Sequence, residues 1–521
     1  MDFEALRDKA SGAAARAARP PALLALTSVL ATAVLWRRGL ELGDEGVISM
    51  GAWRILRGEV PNRDFFEIIP PLSLLAQAAF FKVAGVSLAA SRALAAVYAA
   101  GLAAALGWLS LRLLSGSLWR ALAMGTLVSC GVASWLLPSH HWLADVLALL
   151  ALGSAAQATE TGLGAWAFAA GTAAGACALT LQDQGVLLAA GLLLWLGAAA
   201  ARGSMVRALV AALAGMAAVA APAAAWLLPR VPLATLVHDW VLFPLTRYAA
   251  LPGNASAFAG AWREVAAAWG SAHPPLQSAL LVLLTAKSVL VLLFPAAGAV
   301  FVAGALLGGR GEERREAGLL FIALVAFYLP ALRRPGLVNF QWALPAGILA
   351  FAWGAERLAR EGGPRRRGVV RSIAAFSLLL FVGAGLAALP SAWVGGGGFV
   401  RSRAGAAGPL PGGRARALQG LLDAIEANAK PGEPVFCAGY LPMVNILAQR
   451  PNPAPLDVFV PPRYTTPEQV EAVIASLEKA QVRWVVRPSG LSGGERWDAY
   501  LADGFRPVYG DGRYELWKRE E

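Results

Sequence analysis

Asp44 and Glu45 are adjacent carboxylates a few residues beyond an apolar block, in Gly43-Asp44-Glu45-Gly46. Held there, they lie close to a membrane surface, where a lipid-borne substrate presents its headgroup. A carboxylate in that place can take the proton of an attacking hydroxyl or hold a divalent cation. The same pair can instead do no more than favour the start of the next helix through its dipole. Asp145 lies in Ser139-His140-His141-Trp142-Leu143-Ala144-Asp145, and an ionisable residue at the edge of a span is a functional candidate by default. His140 and His141 offer metal ligands beside Asp145, or an ordinary interfacial cluster with Trp142. Adjacent positions on one helix point about 100° apart, which argues against both holding one ion. Gln182-Asp183-Gln184 marks another helix end, read equally well as solvated or as facing a substrate. Arg333-Arg334-Pro335 sets two guanidinium groups together, and that group binds phosphate oxygens in pairs. His238-Asp239-Trp240 and Arg247-Tyr248 offer polar contacts and aromatic stacking, although a lone His in a loop is more often simply solvated.

The elements that position these residues are long and apolar. The chain has 521 residues, 57% hydrophobic and 15% charged, with mean hydropathy +0.56. Soluble domains carry about 25% charged residues, and here the apolar residues come in blocks of about 17–25, the length that crosses a hydrocarbon core. A cytosolic enzyme, a disordered chain and a disulfide scaffold are excluded. The net charge is +12, but residues 414–521 hold 13 basic and 14 acidic side chains, so the excess lies in the membrane part. Much of it falls in short loops such as 310–315 and 365–371, a positive-inside pattern rather than a nucleic-acid footprint. The three cysteines, Cys130, Cys177 and Cys437, have no zinc-like spacing.

Eleven spans are predicted: 22–40, 92–114, 119–137, 143–158, 166–181, 186–201, 206–228, 276–308 (with a break expected at Pro295), 317–332, 340–357 and 370–389. The first is read as an uncleaved span. Residues 71–84 open with Pro70-Pro71 and are too short to cross, so they are read as an interfacial helix. With a cytoplasmic N-terminus this puts the four main basic clusters inside and the C-terminal tail outside. Arg333-Arg334 then falls outside, against that bias, which favours a phosphate-binding role. The domain reading is a cytoplasmic segment 1–20, a transmembrane domain 21–390 with long outer loops 41–91 and 229–275, a glycine-rich linker 391–413, and an α/β domain 414–521. In the last, helices are predicted over 414–429 and 467–481, strands over 434–438 and 482–487, and a hairpin around Asp511-Gly512.

The run Asp44-Glu45, Gly58-Glu59-Val60-Pro61-Asn62-Arg63-Asp64-Phe65-Phe66-Glu67, Pro70-Pro71-Leu72, Gly85 and Arg92 resembles the first extracytoplasmic loop of the GT-C glycosyltransferases. It is most similar to the protein-mannosyltransferase, aminoarabinose-transferase and lipopolysaccharide-core transferase branch. The resemblance covers about fifty residues. Asn62 stands where an aromatic is common, and Asp183 stands near a position often held by Lys in that family. Asn339-Phe340-Gln341-Trp342-Ala343-Leu344-Pro345 resembles a family segment whose usual His and Tyr are replaced here. The resemblance implies a mainly α, polytopic GT-C-like domain in a bacterial inner membrane, its active site and C-terminal domain on the extracytoplasmic face. It implies transfer of a sugar, with inversion, from a polyprenyl-phosphate donor to a hydroxyl of a lipid, glycan or protein. Membrane lipid is a further partner and nucleic acid is not. On this reading Asp44, Glu45 and Asp145 are catalytic, and Arg333, Arg334, Arg63, Asp64, Glu67, Asp183, Gln341 and His141 contact substrate or phosphate. A divalent cation is a candidate cofactor, with Asp44, Asp145 and His140 as its candidate ligands. No Rossmann or P-loop glycine motif suggests a nucleotide-sugar site. The alternatives are a lipid-linked glycan flippase, for which matching Gly/Pro-broken halves are expected, and a non-catalytic membrane scaffold.

Overall fold

The structure is a computed structural model that describes residues 26, 40–114, 137–200, 206–248, 275–333, 337–391, 398–410 and 412–520. Two short helices of the first loop, α1 (Asp44–Leu56) and α2 (Leu72–Ala84), precede a long α3 (Leu88–Leu113). The helical part continues with α4 (His140–Thr161), α5 (Gly164–Ala178), α6 (Gln182–Ala200) and α7 (Val206–Leu227). A short α8 (Leu233–Val237) runs on as π-helix over His238–Leu242 and Pro244–Tyr248. Then come α9 (Pro275–Gly308), α10 (Gly311–Leu332), α11 (Leu337–Glu361) and α12 (Pro364–Ser391).

Among the described residues, α3, α4, α7, α9 and α10 contain stretches long and apolar enough to cross a membrane. The predicted spans 22–40 and 119–137 lie almost entirely outside the described residues. The break expected at Pro295 does not occur, since α9 is continuous over 34 residues. At 1.5 Å per residue it is about 51 Å long, more than a bilayer core. Starts and stops have local causes. Ser87 caps α3 by accepting from Ala90 N, and Ser139 caps α4 by accepting from His141 N. Gly162, at φ 69°, closes α4 in the left-handed conformation that glycine adopts without strain. In lipid the apolar faces gain little from one another, so small residues govern the approach. A side chain at Gly171 of α5 would run into the backbone of Ala212 in α7.

The stretch predicted as a linker is structured in part: β1 (Gly398–Ser402) and β2 (Gly405–Leu410) form an antiparallel hairpin. Beyond it lie α13 (Gly412–Asn428), β3 (Val435–Cys437), α14 (Pro442–Ala448), α15 (Pro467–Lys479), β4 (Trp484–Pro488), α16 (Glu495–Gly504), β5 (Phe505–Gly510) and β6 (Tyr514–Arg519). The sheet order is β3-β4-β6-β5. The β3–β4 pair is parallel and the others are antiparallel. Helices α14 and α16 were not predicted. Thr466 starts α15 with a capping box to Gln469, as the Thr-Thr-Pro entry suggests.

The C-terminal core is not self-contained. Leu418, Leu421, Met443, Val444 and Trp484 pack in one buried cluster with Leu40, Leu42, Met50 and Leu88 of the first loop and α3. Backbone bonds reinforce the join, from Phe66 N to Pro455 O (2.8 Å) and from Leu88 N to Ala404 O (2.9 Å). Arg54 of α1 is buried where the two parts meet. It donates to Glu59 (2.7 Å), Asp457 (3.0 Å) and the carbonyl of Ala454 (2.8 Å).

Candidate active site

A cavity of about 390 Å³ opens where the N-terminal ends of α1, α4 and α6 meet the C-terminal end of α10. Asp44 enters it from the first turn of α1, and Asp145 from the second turn of α4, six residues beyond Ser139. Gln182, Asp183 and Gln184 open α6, and Arg333 caps the C-terminus of α10, where a cation is favoured. The first loop adds Phe66 and Glu67, and the C-terminal domain adds Tyr440, Asp457, Tyr464 and Gln469. Charged groups thus share a space whose walls also include Ile48, Leu137, Leu181, Phe243 and Phe327.

Each acid has a different environment. Asp44 accepts a hydrogen bond from the hydroxyl of Tyr440. Asp145 is 1% exposed. Its Oδ1 accepts from Gln184 Nε2 (2.9 Å), and its buried Oδ2 has no hydrogen-bond partner among the described residues. Such an atom is costly to leave unsatisfied, which suits a group awaiting a substrate hydroxyl. Glu67 is also buried, and its Oε1 accepts from the backbone N–H groups of Ile68 (2.9 Å) and Ile69 (3.3 Å). Burial, aided by the nearby charges of Asp457 and Asp239, pushes its carboxyl up to about 7. Arg333 Nη2 meets Asp183 Oδ2 at 3.2 Å. This is one contact of a fork with five donors, so the cation keeps capacity for a phosphate.

Several expected residues stand elsewhere. Glu45 does not reach the cavity: it is fully buried, and both its oxygens accept from Arg92 Nε and Nη2 at 2.6 Å. That bidentate pair joins α1 to α3 and engages both carboxylate oxygens. Arg63 and Asp64 pair with each other at 2.7 Å outside the cavity. Asp64 also accepts from Val60 N (2.7 Å), a turn-forming role. Gln341 does not line the cavity, whereas its neighbours Asn339 and Trp342 do. Arg334 lies outside the described residues. His141 lines the cavity with its ring stacked on Trp342, centroids 3.5 Å apart and planes at 17°. Asp239 is buried but serves the loop: Asn62 Nδ2 donates to it (2.9 Å), and Trp240 donates to Asn62 (3.1 Å). Among the described residues no three His, Cys, Asp or Glu side chains converge as a metal site. Asp44, Asp145 and His140 therefore do not form a ready ligand set.

Sequence reasoning missed Tyr440, Asp457, Tyr464 and Gln469 as cavity residues. One signal was available for Tyr440. It follows strand β3 and Gly439, whose φ is 92°, so it stands at the carboxyl end of a parallel strand, where α/β sheets commonly present binding residues.

This combination of a polytopic helical domain, an acid-bearing first loop with two short helices, and a C-terminal sheet domain over one cavity has a counterpart among solved structures. It is the fold of ArnT from Cupriavidus metallidurans. The structure of ArnT bound to undecaprenyl phosphate matches with a TM-score of 0.53 at 12% identity, over 95% of this chain and 97% of that one. The apo ArnT structure matches with a TM-score of 0.54 at 14% identity, over the same shares. No protein-family model and no curated protein matches the sequence.

Proposed function

We propose that the chain is a membrane glycosyltransferase that takes a sugar from a polyprenyl-phosphate donor and passes it to a hydroxyl of a lipid, glycan or protein. The reading puts the reaction on the extracytoplasmic face of a bacterial inner membrane. The observation that carries it is the convergence of Asp44, Asp145 and Arg333 on one partly apolar cavity in a chain with the ArnT fold. The undecaprenyl phosphate in that ArnT structure supports a lipid phosphate as the donor's carrier.

The acceptor hydroxyl attacks the anomeric carbon from the face opposite the phosphate, and its proton passes to Asp44. The bond between that carbon and the phosphate oxygen breaks, and its electron pair leaves with the phosphate. Arg333, a fixed cation lining the cavity, meets this charge as it develops. Asp145, with one oxygen held by Gln184, orients a sugar or acceptor hydroxyl through the other. His141 on Trp342 gives a flat wall against which a sugar ring can lie.

The test is complementation of a strain lacking the chain, with mass analysis of envelope lipids and glycans at matched protein level. The wild-type chain should restore a sugar-sized mass increment. D44N should lower turnover by roughly 10²–10⁴, and R333A by roughly 10²–10³. Full restoration by D44N would end the assignment of Asp44 as base.

A further inference from the structure

Tyr440 belongs to the C-terminal domain, yet its hydroxyl donates to Asp44 Oδ1, 396 positions earlier in the chain. Backbone geometry fixes both ends of this contact. Met443 N donates to Leu42 O (3.1 Å), so the start of α14 is fastened to the segment entering α1. Gly43, just before α1, and Gly46, in its first turn, permit the approach: a methyl at Gly43 would run into the Tyr440 ring, and one at Gly46 into the backbone of Met443. On its far side the ring lies parallel to Tyr464, with centroids 6.5 Å apart and planes at 13°. A hydroxyl given to one carboxylate oxygen restrains the carboxylate's rotation. It also favours the charged, proton-accepting form.

We propose that Tyr440 is a positioning residue for Asp44, so that the C-terminal domain completes the catalytic apparatus from outside the helical part. This rests on the reading of Asp44 as the base. The assay adds the purified full chain to membranes of a strain lacking it, which supply the native donor and acceptor. Product is followed by mass spectrometry from pH 4 to 9 over a dilution series of the membranes. Y440F keeps the ring and removes the donor. Its maximal rate should fall by roughly 10–100-fold, part of what a general base contributes, with the half-saturating amount of membrane unchanged. The acidic limb of its pH profile should move to higher pH, because the carboxylate loses a bond that favours its charged form. G43A, which displaces the ring while leaving the hydroxyl in the chain, should move the limb in the same direction, and it decides the matter should Y440F not accumulate. A packing role alone would lower thermal stability and leave the limb in place. A wild-type limb in these variants, with D44N inactive, overturns the positioning role and leaves the proposed function standing. An active D44N removes both.

Discussion

At the scale of single residues, two neighbouring acids with the same sequence context have opposite fates. Asp44 faces the cavity, while Glu45, one position on, turns about 100° around the helix into the bidentate bond with Arg92. Removing one partner of a buried ion pair costs about 3–5 kcal/mol, because the other charge stays buried. E45Q should therefore lower the thermal midpoint and the yield of folded protein while the surviving fraction keeps its turnover. A variant with normal stability and lost turnover would return Glu45 to the catalytic group. Glu67 supplies a pH signature. Its carboxyl is held near 7 in the folded chain against an ordinary 4.5, so folding takes up a proton between those values. The associated stability is fully present below about pH 4.5 and is lost as pH rises through about 7, with no further loss above. E67Q should flatten this slope in melting curves taken from pH 4 to 8. Identical slopes in the two proteins would contradict a buried, proton-binding Glu67.

At the scale of elements, the cavity depends on how closely helices approach rather than on any one cap. α5 and α7 touch through Gly171 and Gly215, where added side chains would meet the carbonyls of Ala212 and Phe168. α5 leads directly into Leu181 and Gln182 at the cavity wall, so a shift of this pair is transmitted to Asp183 and Gln184. G171V cannot be accommodated without separating the two backbones. It should reduce folded yield several-fold in detergent, read by size-exclusion monodispersity, a far larger effect than the roughly 1 kcal/mol expected from deleting the α15 cap in T466A. Wild-type monodispersity in G171V would mean the helices have slack that their contact geometry does not suggest.

At the scale of the whole molecule, the C-terminal domain and the first loop act as one body. They share a buried core, backbone bonds and the Arg54 network, so they must lie on the same side of the membrane. The orientation we propose from the charge pattern has that side outside and the 310–315 loop inside. Cysteines introduced at Ser492 and Arg314 test this, since the described natural cysteines Cys177 and Cys437 are buried. A membrane-impermeant maleimide should label S492C in intact spheroplasts and R314C only after permeabilisation. The reverse pattern would put donor and base on the wrong side for the proposed reaction.

Composition and block length by themselves determined that the chain is a polytopic helical membrane protein, because crossing hydrocarbon demands long apolar runs and no tertiary context can waive that demand. Local chemistry likewise fixed the capped start of α15 at Thr466, the hairpin at Asp511-Gly512 and the short helix after Pro70-Pro71. Asp44, Asp145, Asp183 and Arg333 were legible as candidates because ionisable residues at the edges of apolar spans are functional candidates by default. What the sequence left open was which charges face each other. Helical rotation sent Glu45 to Arg92, a tight turn consumed Asp64, and the fold of a domain some four hundred residues downstream brought Tyr440 to Asp44. Those pairings arise from non-local packing, and a periodicity read along one chain carries no information about the element that comes to lie against it.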